Sequence, residues 1–309
     1  MNLVHFLTNP WASVWFAGNT LDYTALLVCA SIGAAFAFRG GLFNLGLEGQ
    51  IYLGGLAAAC ALLFVPGGLA PGLSLGLAAA AAALTGALMG LFCAFLKKTT
   101  GANTLITTFL LSSALMPVAD FIIAGPLRDS AGSMLATARF SAGLPRILPP
   151  SNLSLSFVFS VGLCVTAHIF ISRTGAGYRF RIAGGSPAFA RYGGIDADSV
   201  SVPALGLSGA FGGLCGFFAV AGTYGLCYQG FSGGLGWAGM AVALIARNRF
   251  PALLPAALFY ATLKSGVDQT LLSSVISINA SQLLEALILM LATVKFSRAR
   301  LLKGIAHGI

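Results

Sequence analysis

The chain has 309 residues, of which 57% are hydrophobic and only 8% are charged, and its mean hydropathy is +0.90. A soluble fold carries about 25% charged residues and a disordered chain is far less apolar, so both classes are excluded and the chain belongs in a membrane. Its formal charge of +9 would point to nucleic acid only as one accessible patch, and the basic residues are instead spread along the chain.

No Lys or Arg precedes Arg39, so a cleavable signal peptide with a positive n-region is not expected in this stretch. Residues 1–20, with Phe6, Trp11, Trp15 and Phe16, are expected to form an N-terminal interfacial segment. A single transmembrane domain follows over residues 21–300. Its apolar runs predict an all-α polytopic membrane protein of about nine helices, with eight to ten allowed. They lie near 21–38, 49–65, 72–96, 103–124, 152–172, 200–223, 235–246, 251–264 and 283–296. The runs 235–246, 251–264 and 283–296 fall short of the roughly 20 residues a span needs, so they are expected to be tilted, broken or extended. No period-two alternation supports a β-barrel.

With residue 20 outside and alternating spans, thirteen basic residues fall on one side: Arg39, Lys97, Lys98, Arg173, Arg179, Arg181, Arg191, Arg247, Arg249, Lys295, Arg298, Arg300 and Lys303. Arg128, Arg139, Arg146 and Lys264 fall on the other. The richer side is therefore cytoplasmic, which puts the tail 301–309 and the C-terminus inside. The same topology makes 125–151 an external loop, rich in Pro126, Pro145, Pro149 and Pro150. It makes 173–199 a cytoplasmic excursion with room to fold on itself or receive a partner.

Two glycine-rich stretches, Gly41–Gly49 and Gly230–Gly239, enter the membrane from opposite sides. Such interrupted segments in two inverted halves point to a translocation path at a repeat axis. Gly72-x-x-x-Gly76, Gly86-x-x-x-Gly90 and Gly209-x-x-x-Gly213 are expected to let helices approach closely. Glu48 shares its stretch with Asn44 and Gln50. The three either line a hydrated cavity or hold irregular backbone, since a charge near the bilayer centre needs a partner or a purpose. Tyr228, Gln229, Phe231 and Trp237 give the second stretch aromatic faces and hydrogen-bonding groups, which suit a flat or sugar-like neutral ligand. Asp22, Asp120, Asp268 and Glu285 lie near outer ends of spans, where interfacial water is expected to solvate them.

The cysteines Cys29, Cys60, Cys93, Cys164, Cys215 and Cys227 form no C-x-x-C pair and are expected to pack as small apolar groups. His5, His168 and His307 are far apart, so no metal site is expected. No catalytic set can be assembled, and no lysine follows a glycine, so the nucleotide-binding Walker A ending is absent.

The segment Phe38–Gln50, with its Phe43-Asn44-Leu45-Gly46-Leu47-Glu48-Gly49-Gln50 core, resembles the membrane permeases of ATP-binding-cassette importers. The branch is that of nucleosides, simple sugars and riboflavin, within the branched-chain amino acid and ribose permease superfamily. Residues 177–195 resemble that family's cytoplasmic loop, with Ser186 in place of the usual Asn. Leu207–Leu214 and Gly239–Asn248 follow in the family's order, and the likeness runs from about residue 21 to 300. Thr104 and Ser112 depart from it, standing where the family usually has Glu and Asn.

The resemblance implies a type II importer-like permease subunit, with no catalysis of its own. It carries a neutral polar solute such as a nucleoside, riboflavin or a simple sugar through the bacterial inner membrane. A translocation path by Asn44, Glu48, Gln50, Tyr228, Gln229, Phe231 and Trp237 is then expected. Arg179, Arg181, Gly184, Ser186, Pro187, Ala190, Arg191 and Gly193 are implied to form the ATPase coupling loop. A short helix capped by Ser186, with Pro187 at its first position, fits that role. Implied partners are a second, preferably unlike permease, two ATPase subunits or one tandem ATPase that bind ATP and Mg, and an external substrate-binding protein. The alternative from a different class is a self-sufficient transporter or channel driven by an ion gradient.

Overall fold

The computed structural model describes residues 8–65 and 69–273. After a short 3₁₀ turn at Asn9–Trp11, the chain forms α1 (Val14–Arg39), α2 (Leu47–Phe64), α3 (Pro71–Thr100), α4 (Thr104–Ala124) and α5 (Ser156–Arg173). Then come α6 (Gly175–Gly185), α7 (Pro187–Tyr192), α8 (Ala197–Phe217) with a π-helical end at Phe218–Tyr224, α9 (Leu235–Ile245) and α10 (Phe250–Ser273).

Ser13 sets the start of α1 by accepting the Phe16 N–H (3.2 Å). Residues 14–20, assigned above to an interfacial segment, therefore continue the first long helix. Among the described residues seven helices are long and apolar enough to cross a membrane. Of the nine expected spans, 251–264 proves to be part of a 24-residue helix, whereas 235–246 is the 11-residue α9, about 16 Å of helix. The run 283–296, with Glu285 and the basic residues of the tail, lies outside the described residues.

Helix α1 is buried through most of its length and forms the centre of the bundle, packed by α5, α8, α9 and α10. At its arginine-rich end the ring of Phe36 touches Phe170, Phe180, Phe211 and Phe250, with centroids 5.2–6.1 Å away. These rings come from α5, α6, α8 and α10, so one aromatic hub ties the excursion after α5 to the membrane core.

The most extensive helix contact joins α3 and α8. A Cβ on Gly86 would stand 2.0 Å from the Gly209 carbonyl oxygen, and one on Gly209 would stand 2.0 Å from that of Gly86. Gly90 meets Leu205 and Gly213 meets Ala82 in the same way, at 2.1 and 1.9 Å. Backbone rests on backbone, as lipid-embedded helices require when no hydrophobic force drives them together. Gly72 and Gly76 behave differently from expectation: nothing lies within 4 Å of a Cβ at either position.

Residues 125–155 form the long connection opposite the arginine-rich end. Part of it is an extended strap, bonded backbone to backbone along residues 221–229. Leu135 accepts from Gln229 (3.0 Å), Thr137 donates to Cys227 (2.9 Å), Phe140 to Gly225 (3.0 Å) and Leu144 to Ala221 (2.9 Å). This satisfies main-chain groups that no helix satisfies.

The seam generates a paired prediction for thermal unfolding of the detergent-solubilised chain. Gly209→Ala is expected to cost about 1–3 kcal/mol by overpacking. Gly76→Ala, in open space within a helix, is expected to be neutral or to gain up to about 1 kcal/mol.

Candidate functional site

The two glycine-rich stretches meet, and Glu48 is what joins them. Its Oε1 accepts from the Ser232 hydroxyl (2.6 Å) and the Gly234 N–H (2.9 Å), and its Oε2 accepts from the Gly236 N–H (2.6 Å). Those amides are the N-terminus of α9, whose own cap residue, Gly234, has no side chain to offer. The carboxylate, 7% exposed, also lies in the first turn of its own helix, α2. It thus sits against two positive helix ends, an arrangement that stabilises a buried anion without a metal or a basic side chain.

The backbone explains the glycines. Gly233 and Gly234 have φ of 49° and 86°, and a Cβ on Gly236 would stand 2.4 Å from the Glu48 nitrogen. A left-handed turn and a close approach are both needed to bring α9 onto the carboxylate.

Tyr52 and Gly55 extend the same face of α2. The Tyr52 hydroxyl donates to Asp120 on α4 and accepts the Gly230 N–H (2.7 Å). Its ring stacks on Phe231 at 5.0 Å, and Gly55 leaves room beneath that ring. Glu48, Tyr52 and Gly55 follow the i, i+4, i+7 rhythm of one helix face, and together they form the bed of residues 230–236.

The N-terminus of α2 is capped by borrowed groups as well. Asn44 Oδ1 accepts the Gly46 N–H (3.1 Å), Thr108 the Leu45 N–H (3.1 Å) and Ser112 the Gly49 N–H (2.8 Å). Asn44 Nδ2 then donates to Gln50 Oε1 and to the Ser208 hydroxyl, both at 2.8 Å. Asn44, Glu48 and Gln50 are therefore all buried and bonded to protein. Glu48 and Asn44 hold irregular backbone through these bonds, one of the two roles the sequence left open. Ser112, a departure from the family pattern, has a definite task against Gly49.

Phe231 is buried at 1% exposure, Tyr228 is half-buried between Tyr224 and Phe231, and Gln229 and Trp237 are exposed. Two carboxylates correct the expectation of interfacial solvation. Asp22 is 2% exposed and accepts from Thr223 Oγ1 (2.7 Å) in the π-helical end of α8, while Asp120 is half-buried on Tyr52. Asp268 is exposed. Cys227, beside the strap, is buried, and burial pushes its thiol up to about 12, so it stays neutral and unreactive.

The excursion after α5 folds as two helices. Ser186 accepts the Phe189 N–H (3.3 Å) and Pro187 opens α7, as the sequence predicts. Gly193 ends α7. Ala190 faces inward at 0% exposure, while Phe189 (62%), Arg191 and Tyr192 (93%) face out. Arg179 is also exposed, but Arg181 turns back to donate to the Ile171 carbonyl. A Cβ on Gly184 would stand 1.9 Å from the Arg39 carbonyl oxygen and 3.0 Å from the Gly41 nitrogen. The excursion therefore bears directly on the loop that leads to Asn44 and Glu48.

The carboxylate bridge yields a stability prediction. Glu48→Gln puts an amide donor against an amide donor at one of its two oxygens and is expected to cost about 2 kcal/mol. Glu48→Ala abandons all three donors and is expected to cost more. Unchanged thermal unfolding of both variants would remove the bridge from the account.

Comparison with known proteins agrees with this architecture. The family described as "Branched-chain amino acid transport system / permease component" matches residues 16–293. The chain is 33% identical to the probable riboflavin import permease protein RfuC of Treponema pallidum, over 96% of this chain and 79% of that protein. It is 27% identical to the guanosine ABC transporter permease protein NupP of Bacillus subtilis, over 83% of this chain and 74% of that one. It is 29% identical to the glucose ABC transporter permease protein TsgB13 of Haloferax volcanii, over 78% and 66% respectively. No solved structure matches significantly. The chain belongs to the branched-chain amino acid transport system permease family.

Proposed function

We propose that this chain forms one half of the translocation path of an ATP-driven importer whose cargo is a neutral solute joining a flat ring to a hydroxyl-rich chain, riboflavin or a nucleoside. The observation that carries the reading is the likeness to RfuC, which spans 96% of the chain. The guanosine permease NupP supports the same cargo class, and TsgB13 keeps a simple sugar as the nearest rival. The path would run past the exposed Gln229 and Trp237 and the half-buried Tyr228, with Glu48, Asn44 and Gln50 holding the backbone behind them.

The chain would work with a second, unlike permease, two ATPase subunits or one tandem ATPase, and an external binding protein. ATP and Mg would be held by the ATPase. The arginine-rich end would face the cytoplasm, as its surplus of basic residues favours. Phe189, Arg191 and Tyr192 on α7 have the composition of an interface anchor, apolar rings beside a cation. Closure of the ATPases would press on α6 and α7. Contact of Gly184 with Arg39 and Gly41 would pass that displacement to α2, and Glu48 would carry α9 with it.

A gradient-driven transporter is the weaker reading. Ion coupling uses carboxylates that can exchange a cation; Glu48 and Asp120 are bonded to protein groups, and Asp22 is held through one oxygen by Thr223 while its other oxygen is buried without a partner.

Two measurements test the proposal. In proteoliposomes holding the assembled complex, riboflavin or a nucleoside is expected to accumulate only with ATP and the binding protein. Uptake by this chain alone under an ion gradient would instead establish the gradient-driven reading. Arg191→Glu combined with Tyr192→Ala is expected to cut ATP-driven uptake by about tenfold or more through loss of two anchor contacts. The folded yield should be unchanged, since both side chains are exposed.

A further inference from the structure

At the arginine-rich end a cavity of about 650 Å³ opens among the last turns of α1 and α5, the middle of α6 and the first turns of α10. Arg39, Arg181, Arg249, His168 and Ser172 supply its polar wall, and Ile171 and Phe250 contribute to an apolar one. The cluster is built by the fold. Arg39 Nε donates to the Asn248 carbonyl oxygen (2.8 Å), and Arg181 donates to that of Ile171. Arg247 and Asn248 both adopt left-handed backbone, with φ of 52° and 56°, in the tight turn that delivers Arg249. Neither is glycine, so the turn is held in a conformation that L residues rarely adopt.

Arg39 shares the cavity wall with the guanidinium groups of Arg181 and Arg249. The carboxylates with described partners are engaged elsewhere: Glu48 at α9, Asp22 on Thr223, Asp120 on Tyr52 and Asp129 on the Ala131 N–H. Three cations around one half-buried cavity repel one another until an anion enters. Each guanidinium has five N–H donors, and the bonds above use one from Arg39 and one from Arg181. The remaining donors suit the oxygens of a phosphate.

The surroundings select the source of that phosphate. The cavity lies where α1 and α5 end and α10 begins, at the level of a membrane surface. Beside it, Val165 and Ile169 on α5 are 52% and 51% exposed, an apolar flank on which an acyl chain can lie. We propose that this cavity binds the headgroup phosphate of an anionic phospholipid, with Arg39, Arg181 and Arg249 around the phosphate and the acyl chains along α5. Basic pockets at the cytoplasmic ends of membrane helices recognise lipid headgroups by this chemistry.

The test uses the full chain in its assembled transporter, purified in mild detergent and offered phosphatidylglycerol and phosphatidylcholine of equal chain length. Native mass spectrometry is expected to show retained phosphatidylglycerol in preference to phosphatidylcholine, together with a raised thermal midpoint. Arg249→Gln is expected to reduce that preference about fivefold, the weight of one basic residue at an anionic surface. Arg249→Lys should retain most of it. Arg249 is exposed, so the glutamine variant should unfold at the wild-type midpoint in phosphatidylcholine. Should that variant fail to fold, the lipid preference of the wild type still decides. Equal retention of both lipids, or an unchanged preference in Arg249→Gln, would overturn the proposal. Equal stabilisation by inorganic phosphate without lipid would assign the cavity to a free anion. Loss of the ATPase subunits from Arg249→Gln at unchanged lipid preference would assign the arginines to a protein interface. Either result removes the lipid site.

Discussion

A carboxylate buried among apolar helices persists only where something answers its charge, and in this chain the answer is the exposed amides of a helix end. Glu48 accepts from Ser232, Gly234 and Gly236 while standing in the first turn of α2. Much of the local architecture follows. Helix α9 starts at the carboxylate instead of crossing the whole bundle, so it is short. The connection that reaches this starting point carries irregular backbone, which must be satisfied by protein wherever water is absent. The strap meets part of that need at residues 221–229, and Tyr52 meets another part at Gly230. A lysine facing Glu48 would have balanced the charge equally well, but it would not have placed a helix.

The same economy governs the other end of α2. Its first amides are met by Asn44, Thr108 and Ser112, so α4 and the α1–α2 loop together do what one capping residue usually does. Because that loop also touches Gly184, the start of α2 is mechanically continuous with α6. Phe36 strengthens the connection by packing Phe180 into the core. The excursion is therefore part of the bundle through α6, while the outer face of α7, with Phe189, Arg191 and Tyr192, is left uncovered by the described chain.

Much of this was legible in the residues. Apolar runs located α2 to α5, and α8 with its π-helical end, to within about four positions. They missed the first turns of α1 and the second half of α10, and the shortness of 235–246 survived as α9. Ser186-Pro187 announced the start of α7, because cap and fixed φ act locally. What escaped was long-range. Glu48 and Gly236 are 188 residues apart, and no local pattern says which amides a buried carboxylate will meet. A signal for the face did exist in Glu48, Tyr52 and Gly55 at helical spacing. Three glycine pairs looked alike, yet only those at 86/90 and 209/213 form a seam, since spacing carries no information about what stands opposite. The strap was invisible because it pairs main chain with main chain. Asp22 and Asp120 were misjudged for a similar reason: their partners, Thr223 and Tyr52, come from other helices.

The seam between α3 and α8 also limits how the molecule can move. Ordinary helix interfaces slide by letting side chains hop between rotamers, and a contact of Gly86 on Gly209 has no rotamers to hop. Sliding by a fraction of a turn would drive Ala82 or Leu205 backbone into a glycine notch that no longer fits. The two helices therefore behave as a single plate with one register. Any alternation between opposed openings must carry that plate intact. Deformation is left to joints made of exchangeable polar contacts, such as the three hydrogen bonds by which Glu48 holds the start of α9.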